Sequence, residues 1–367
     1  MDWNATTMDQ NLKTVEWNAT TMDRSFISDI DSFSVYFNIL SLEERIRVAL
    51  LIIQYIYNPL LAALGIPANV VTIVILSRGK CGLSKCVTRY LVAMAATDLP
   101  LVILDLVLRH VPIIYWNQFI SLYDLPLCNI HAVLLFAATD CSVWFTVSFT
   151  FDRFVVICCH KLKTKYCTEK TAVLVLGTVS VLSGLKNIFW YFMLTNRYSL
   201  MNSPWFCHVT WAVMDSPVCT TIEFLNYILT PCLPFVVIVL LNAVTVRHIL
   251  VANRARRRLR GPSSGENSRD PEMESRRKSI IVLFVISGNF ILLWAVFMVY
   301  CISIRMWWMG YRSVFLPGYV QEVGFGLQQL SCCTNTGTYA VTQTKFREQL
   351  KNVGKYPFTL IVKKIKR

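Results

Sequence analysis

Seven stretches of this chain, at about 48–77, 87–109, 126–159, 170–194, 219–248, 279–304 and 315–341, are apolar over the length a helix needs to cross a bilayer. In all, 54% of the residues are hydrophobic and 16% charged, and the mean hydropathy is +0.47. A soluble protein of this size has no interior that would hide so much apolar surface. The pattern predicts an all-α membrane protein, a seven-transmembrane helix bundle. Within a bilayer the backbone satisfies its own hydrogen bonds, which makes helices the default spanning element.

The connections between spans set the topology. The formal net charge is +14, a value that in a soluble domain suggests nucleic acid. Here the positive charge lies in alternate short connections. Arg78, Lys80, Lys85 and Arg89 flank the first, Lys161 to Lys170 the third, Arg247 to Lys278 the fifth, and Lys345 to Arg367 the tail. The second connection (111–125) has no Lys or Arg, and the fourth (195–218) has only Arg197. This bias puts the N-terminus outside and the C-terminus in the cytoplasm, and no nucleic-acid partner is expected. Residues 1–21 lack the apolar core of a cleavable signal, so the first span is expected to be its own insertion signal.

Three regions follow. Residues 1–47 form a polar extracellular tail with a near-repeat, WNATTMD, whose two copies carry sequons at Asn4 and Asn18; exposed to the lumen, both are glycosylation acceptors. Residues 48–341 form the bundle. Residues 342–367 are a basic tail in which Phe346, Leu350 and Val353 recur at helical spacing. They predict a short amphipathic eighth helix along the inner leaflet, in contact with membrane lipid. The fifth connection has basic ends around a Gly/Pro/Ser/Glu middle, which reads as a flexible loop between extended helices.

The third span ends on Asp152–Arg153, at the boundary between apolar helix and basic loop. A charge pair there marks either a functional site or an arginine reaching for the interface. Asp98, Asp140 and Lys186 also lie inside spans, where an unpaired charge is costly.

The chain resembles the rhodopsin-like G-protein-coupled receptors over about residues 48–350, because several motifs fall in order, each in its span. GIPANVV (65–71) resembles the family's Gly…Asn-Val, LVAMAATDL (91–99) its Leu-x-x-x-Ala-x-x-Asp, and Asp152–Arg153–Phe154 its Asp-Arg-Tyr. Phe290-x-x-x-Trp294 resembles its Phe…Trp pair, and NTGTY (335–339) its Asn-Pro-x-x-Tyr. Cys128 stands twenty-five residues before Arg153, where the family has a cysteine. The wording around 65–71 and Trp294 is similar to an orphan, peptide-receptor-like branch, that of G-protein coupled receptor 139.

The resemblance implies a receptor at the plasma membrane that binds an extracellular peptide or small-molecule ligand, of amino-acid-like or peptide character, and activates a heterotrimeric G protein. It implies a disulfide from Cys128 to Cys207, with Cys219 as competing partner. It places Ser142, Ser331 and Asn335 around Asp98, oxygen donors suited to an allosteric sodium ion. The alternative there is a hydrogen-bonded aspartate with water. Asp152, Arg153, Phe290, Trp294 and Tyr339 would form the activation switch. Leu135 stands where amine receptors carry aspartate, which disfavours a monoamine. The ligand pocket is expected at Asp105, Arg109, His131, Leu135, Glu223, Phe325 and Gln329, although Asp105 and Arg109, four apart on a helix, also suit a pair of their own. Asp140 and Lys186 are either pocket residues or glue between helices.

The chain departs from the family at several points. His160–Lys161 replace a proline and an apolar residue, so Leu162 would have to serve as the docking side chain. Asn242 replaces a tyrosine, and Val296 and Thr336 each replace a proline. These changes leave open a weakly coupled or decoy receptor. A transporter or channel would show repeats or a polar path, and an enzyme would show a phosphate loop, a zinc motif or a nucleophile elbow. The chain has none of these motifs.

Overall fold

The computed structural model describes residues 40–115, 118–119, 121, 124–199, 206–209, 216–259, 271–308 and 316–353. The sequons at Asn4 and Asn18 and the centre of the fifth connection lie outside the described residues. The contacts divide the chain into 1–53 and 54–367.

Seven long helices follow the seven apolar runs: α1 Leu42–Ser77, α2 Lys85–Ile114, α3 Cys128–Cys158, α4 Glu169–Met193, α5 in the segments Pro217–Tyr227, Ile228–Cys232 and Leu233–Leu259, α6 Pro271–Trp308 and α7 Gly318–Thr342. A short α8 occupies 344–353. The first six are long and apolar enough to cross a membrane. The seventh is more polar, with Gln328, Gln329, Thr334 and Asn335 in its length.

The helix starts follow local chemistry. In the first unit, Ser41 and Glu44 close a capping box: the Ser41 backbone N–H donates to Glu44 Oε2 at 2.8 Å, and the Glu44 N–H donates to Ser41 Oγ at 3.4 Å. In the second unit, Ser84 caps α2 by accepting from the Val87 N–H, and Thr168 caps α4 by accepting from the Thr171 N–H. The middle of α2, Val102–His110, winds as a π-helix just after Pro100. Pro100 has no N–H to give, and wide turns of this kind are often found at functional sites.

The central helix is α3, which packs on α2, α4, α5 and α6. Apolar side chains gather in three layers along it. Leu106, Ala132, Trp190 and Phe206 fill the end at Cys128, Val143, Val147, Phe290 and Trp294 the middle, and Tyr90, Phe149, Tyr339 and Phe346 the end at Arg153. By contrast α4 turns most of its apolar side chains outward, Leu174, Val181 and Leu182 among them. That is how a membrane helix presents itself to lipid.

Three features were not expected. The fourth connection contains a two-stranded antiparallel sheet, β1 Leu194–Tyr198 and β2 Cys207–Val209. The third connection contains a helix, His160–Tyr166. The apolar face of α8 also packs on the bundle. Phe346 is fully buried, its ring 5.9 Å from that of Tyr339, and Leu350 and Val353 join the same cluster.

Candidate functional site

The site is built around Asp98, fully buried on α2. Each carboxylate oxygen accepts one bond. The Ser142 hydroxyl of α3 donates to Oδ1 at 2.7 Å, and the Asn335 amide of α7 donates to Oδ2 at 2.5 Å. A small cavity of about 10 Å³, on the order of one water, lies beside this contact. Ser142, Asn335, Ser331, Asn289 and Trp294 are in its wall. The four expected oxygen donors thus converge. One carboxylate among neutral hydroxyl and amide oxygens suits a small hard cation in donor type, but both Asp98 oxygens already hold hydrogen bonds that such an ion would have to rearrange.

Trp294 connects this cavity to the Cys128 end through touching rings. It stacks on Phe290 at 5.2 Å and meets Phe297 at 6.3 Å, and Phe297 meets Phe325 of α7 at 5.0 Å. The Arg109 guanidinium lies between Phe325 and Phe206, 5.3 Å from each ring centre. Phe206 continues to His131 at 4.7 Å.

Of the expected pocket residues, Asp105, Arg109, Gln329 and Phe325 form one knot. Arg109 donates to Asp105 Oδ1 at 2.9 Å, and Gln329 donates to Asp105 Oδ2 at 2.9 Å. Asp105 and Arg109 therefore pair with each other. His131 is spent between the Leu104 carbonyl at 2.9 Å and the Tyr198 hydroxyl at 3.2 Å, and Leu135 is buried in the same layer. Glu223 lies on α5, with its side chain outside the described atoms. The disulfide joins Cys128 to Cys207, and Cys219 is a buried free thiol. The bond holds β2, and Phe206 beside it, over α3.

At the other end Arg153 pairs with Asp152 and lies 5.9 Å from the Phe149 ring. The second oxygen of Asp152 accepts from the Cys86 thiol of α2 at 3.2 Å, and the Cys167 thiol lies 3.7 Å from the Asp152 carbonyl. Burial pushes the Cys167 thiol up to about 12, with the Asp152 charge adding to the rise, which keeps it a neutral donor. Tyr339 is buried, and its hydroxyl has no hydrogen-bond partner among the described residues. Leu162 is 52% exposed on the connecting helix.

Two departures from the family take definite roles. The Thr336 hydroxyl, where a proline was expected, bonds Thr72 at 2.7 Å and the Ala68 carbonyl at 2.9 Å. Asn242 turns its amide back to the Ile238 carbonyl of its own helix, 2.8 Å away. Sequence reasoning missed Phe206, Cys86 and the Asn289–Thr334 bond between α6 and α7 at 3.1 Å. Cys86 and Phe206 look like ordinary packing in sequence. Asn289, an amide inside an apolar span, was the one available signal.

The comparisons agree with this geometry. A family model described as 7 transmembrane receptor (rhodopsin family) matches residues 68–336. The chain is 26% identical over 240 residues to the FMRFamide receptor of Drosophila melanogaster, covering 57% of this chain and 42% of that protein. It is 29% identical over 157 residues to G-protein coupled receptor 39 of Homo sapiens, covering 42% of this chain and 34% of that protein. The match thus spans less than half the length of either relative.

Proposed function

This chain belongs to the rhodopsin family of seven-transmembrane receptors, and from that premise we propose that it carries an extracellular peptide or amino-acid-like signal across the plasma membrane to a heterotrimeric G protein. The observation that carries the reading is the buried Asp152–Arg153 pair, at the basic end of a bundle whose Trp294 borders the Asp98 cavity. The basic connections favour a cytoplasmic Arg153 end and an outside Cys128 end. A peptide ligand is supported by the similarity to the FMRFamide receptor and by Leu135 in place of an amine-binding acid.

In this reading Asp152 holds Arg153 away from its partner. A ligand under β2 bears on the ring series from Phe206 to Trp294. It shifts the balance only by the difference between its affinities for the two states. Movement of α6 about Phe290 and Trp294 would free Arg153, and Leu162 offers an exposed apolar contact to the G protein. Asp98, Ser142, Ser331 and Asn335 are the residues that would hold a sodium ion, whose charge would favour the ionised carboxylate.

A weakly coupled receptor is the second reading. It is favoured by Asn242, whose amide is bonded within its own helix, and by α6, which runs unbroken with Val296 in place of the proline.

The test is G-protein activation in cells across aromatic amino acids, short peptides and amines, with Arg153→Ala beside the wild type at equal surface expression. A wild-type signal lost in the variant is expected. Equal signals from both would remove Arg153 from the mechanism.

A further inference from the structure

The central helix α3 is held on two opposite faces. Ser142 bonds Asp98 on one side. Asp140 precedes it by two residues, which an α-helix places about 200° away, and points to α4. Its Oδ2 is 2.6 Å from Lys186 Nζ and accepts from the Asn187 amide at 2.5 Å. Lys186 also donates to Asn226 Oδ1 of α5 at 2.7 Å. Asp140 is buried, and the Lys186 side chain is 26% exposed. None of these four residues lines the Asp98 cavity or touches the Asp152–Arg153 pair.

An ion pair inside a membrane protein is weak evidence of stability by itself, since both charges lose their water. Its value lies in geometry. Helices in lipid have little hydrophobic drive to choose one register over another, and polar contacts choose it. A rotation of α3 that stretches Asp140–Lys186 also moves Ser142 on the far side of the same axis, and carries the whole Asp152–Arg153 pair with it, shifting Asp152 against Cys86 of α2.

We propose that Asp140 and Lys186 are positioning residues for the signalling switch. Their pair sets the rotation of α3, and so keeps Ser142 on Asp98 and Asp152 on Cys86 of α2. This rests on the receptor reading above.

The test measures opening of the Arg153 end directly, on the full chain in lipid nanodiscs. Spin labels are introduced by non-cysteine chemistry at Lys170 and Ile281, both exposed, and their distance distribution is recorded by pulsed electron resonance. Asp140→Asn and Lys186→Gln are each expected to raise the long-distance fraction about threefold, the typical strength of a polar contact between membrane helices. The uncharged double variant strands no charge and covers the case in which a single variant fails to insert. Its shift is expected to be no larger than the greater single shift, because both changes break one contact. An unchanged distribution in the variants that insert, whatever their melting temperature, would overturn the proposal and leave the pair purely structural. Nucleotide exchange on a G protein is measured on the same nanodiscs. Opening without exchange would count against the receptor reading and leave the role of the pair standing.

Discussion

Gly324 of α7 lies against the backbone of α6, and adding one methyl group there should separate the two helices. A Cβ at this position would stand 2.9 Å from Phe297 Cα, 3.0 Å from its N and 3.1 Å from its Cβ. Backbone atoms do not swing aside as a side chain would, so α6 and α7 must part by about half an ångström to restore ordinary carbon contacts. Overpacking of this kind costs about 1–3 kcal/mol. Gly288, also inside a long helix, has no atom within 4 Å of its would-be Cβ. Alanine there should be neutral or stabilise by up to about 1 kcal/mol through helix propensity. The two Gly→Ala changes are the same chemistry with opposite expected signs. The assay is the apparent melting temperature of the purified full chain in detergent, followed by tryptophan fluorescence. Gly324→Ala should melt several degrees lower, and Gly288→Ala at or above the wild type. Because Phe297 touches both Trp294 and Phe325, Gly324→Ala should also change ligand-free activation. A Gly324→Ala protein as stable as the wild type would show that the helices are not in backbone contact and would refute the reasoning.

Cys207→Ser should lower surface expression and melting temperature by freeing β2 from α3, while Cys219→Ser should leave both unchanged; equal losses in the two would contradict the assigned pairing. Cys86→Ala removes the thiol that donates to Asp152 and should raise ligand-free activation by about two- to tenfold, the strength of one hydrogen bond. Cys86→Ser, which keeps a donor, should stay near wild type, and identical behaviour of the two would assign Cys86 to packing alone. Asp98→Asn places an amide where Ser142 and Asn335 both donate. Melting in sodium against a bulky organic cation should then show no difference, whereas a sodium effect equal to wild type would remove Asp98 from any ion site.

The seven helices were legible because lipid demands long apolar runs, and the basic connections fell between them in a regular order. The residues around Asp98 were legible through the family resemblance, which places Ser142, Ser331 and Asn335 beside a membrane-embedded acid that needs partners. What the sequence hid was partner choice at close range. Thr336 reads as a lost proline, yet its hydroxyl ties α7 to Thr72 and Ala68 of α1. Phe346 reads as a membrane-facing residue, yet it packs under Tyr339. Phe206 lies in an irregular connection with no helical or strand period to mark it. Its place over Arg109 depends on the disulfide beside it. In each case the deciding fact is which neighbour a side chain faces, and hydropathy does not encode that.

Polar ties link the helices one to the next around the bundle. Thr72–Thr336 joins α1 to α7, Asn335–Asp98 joins α7 to α2, Asp98–Ser142 joins α2 to α3, and Asp140–Lys186–Asn226 joins α3 to α4 and α5. The Cys128 half of α6 is pinned to α7 by the backbone contact at Gly324, and Asn289–Thr334 ties the two helices near mid-length. Toward the Arg153 end, Thr150–Ser287 joins α6 to α3, and at 3.4 Å it is long for a hydroxyl bond. Breaking it costs little beside parting Gly324 from Phe297. In the proposed receptor reading, α6 would swing about the part fixed to α7 at Gly324, with the pivot at the level of Trp294 and the opening beside Arg153.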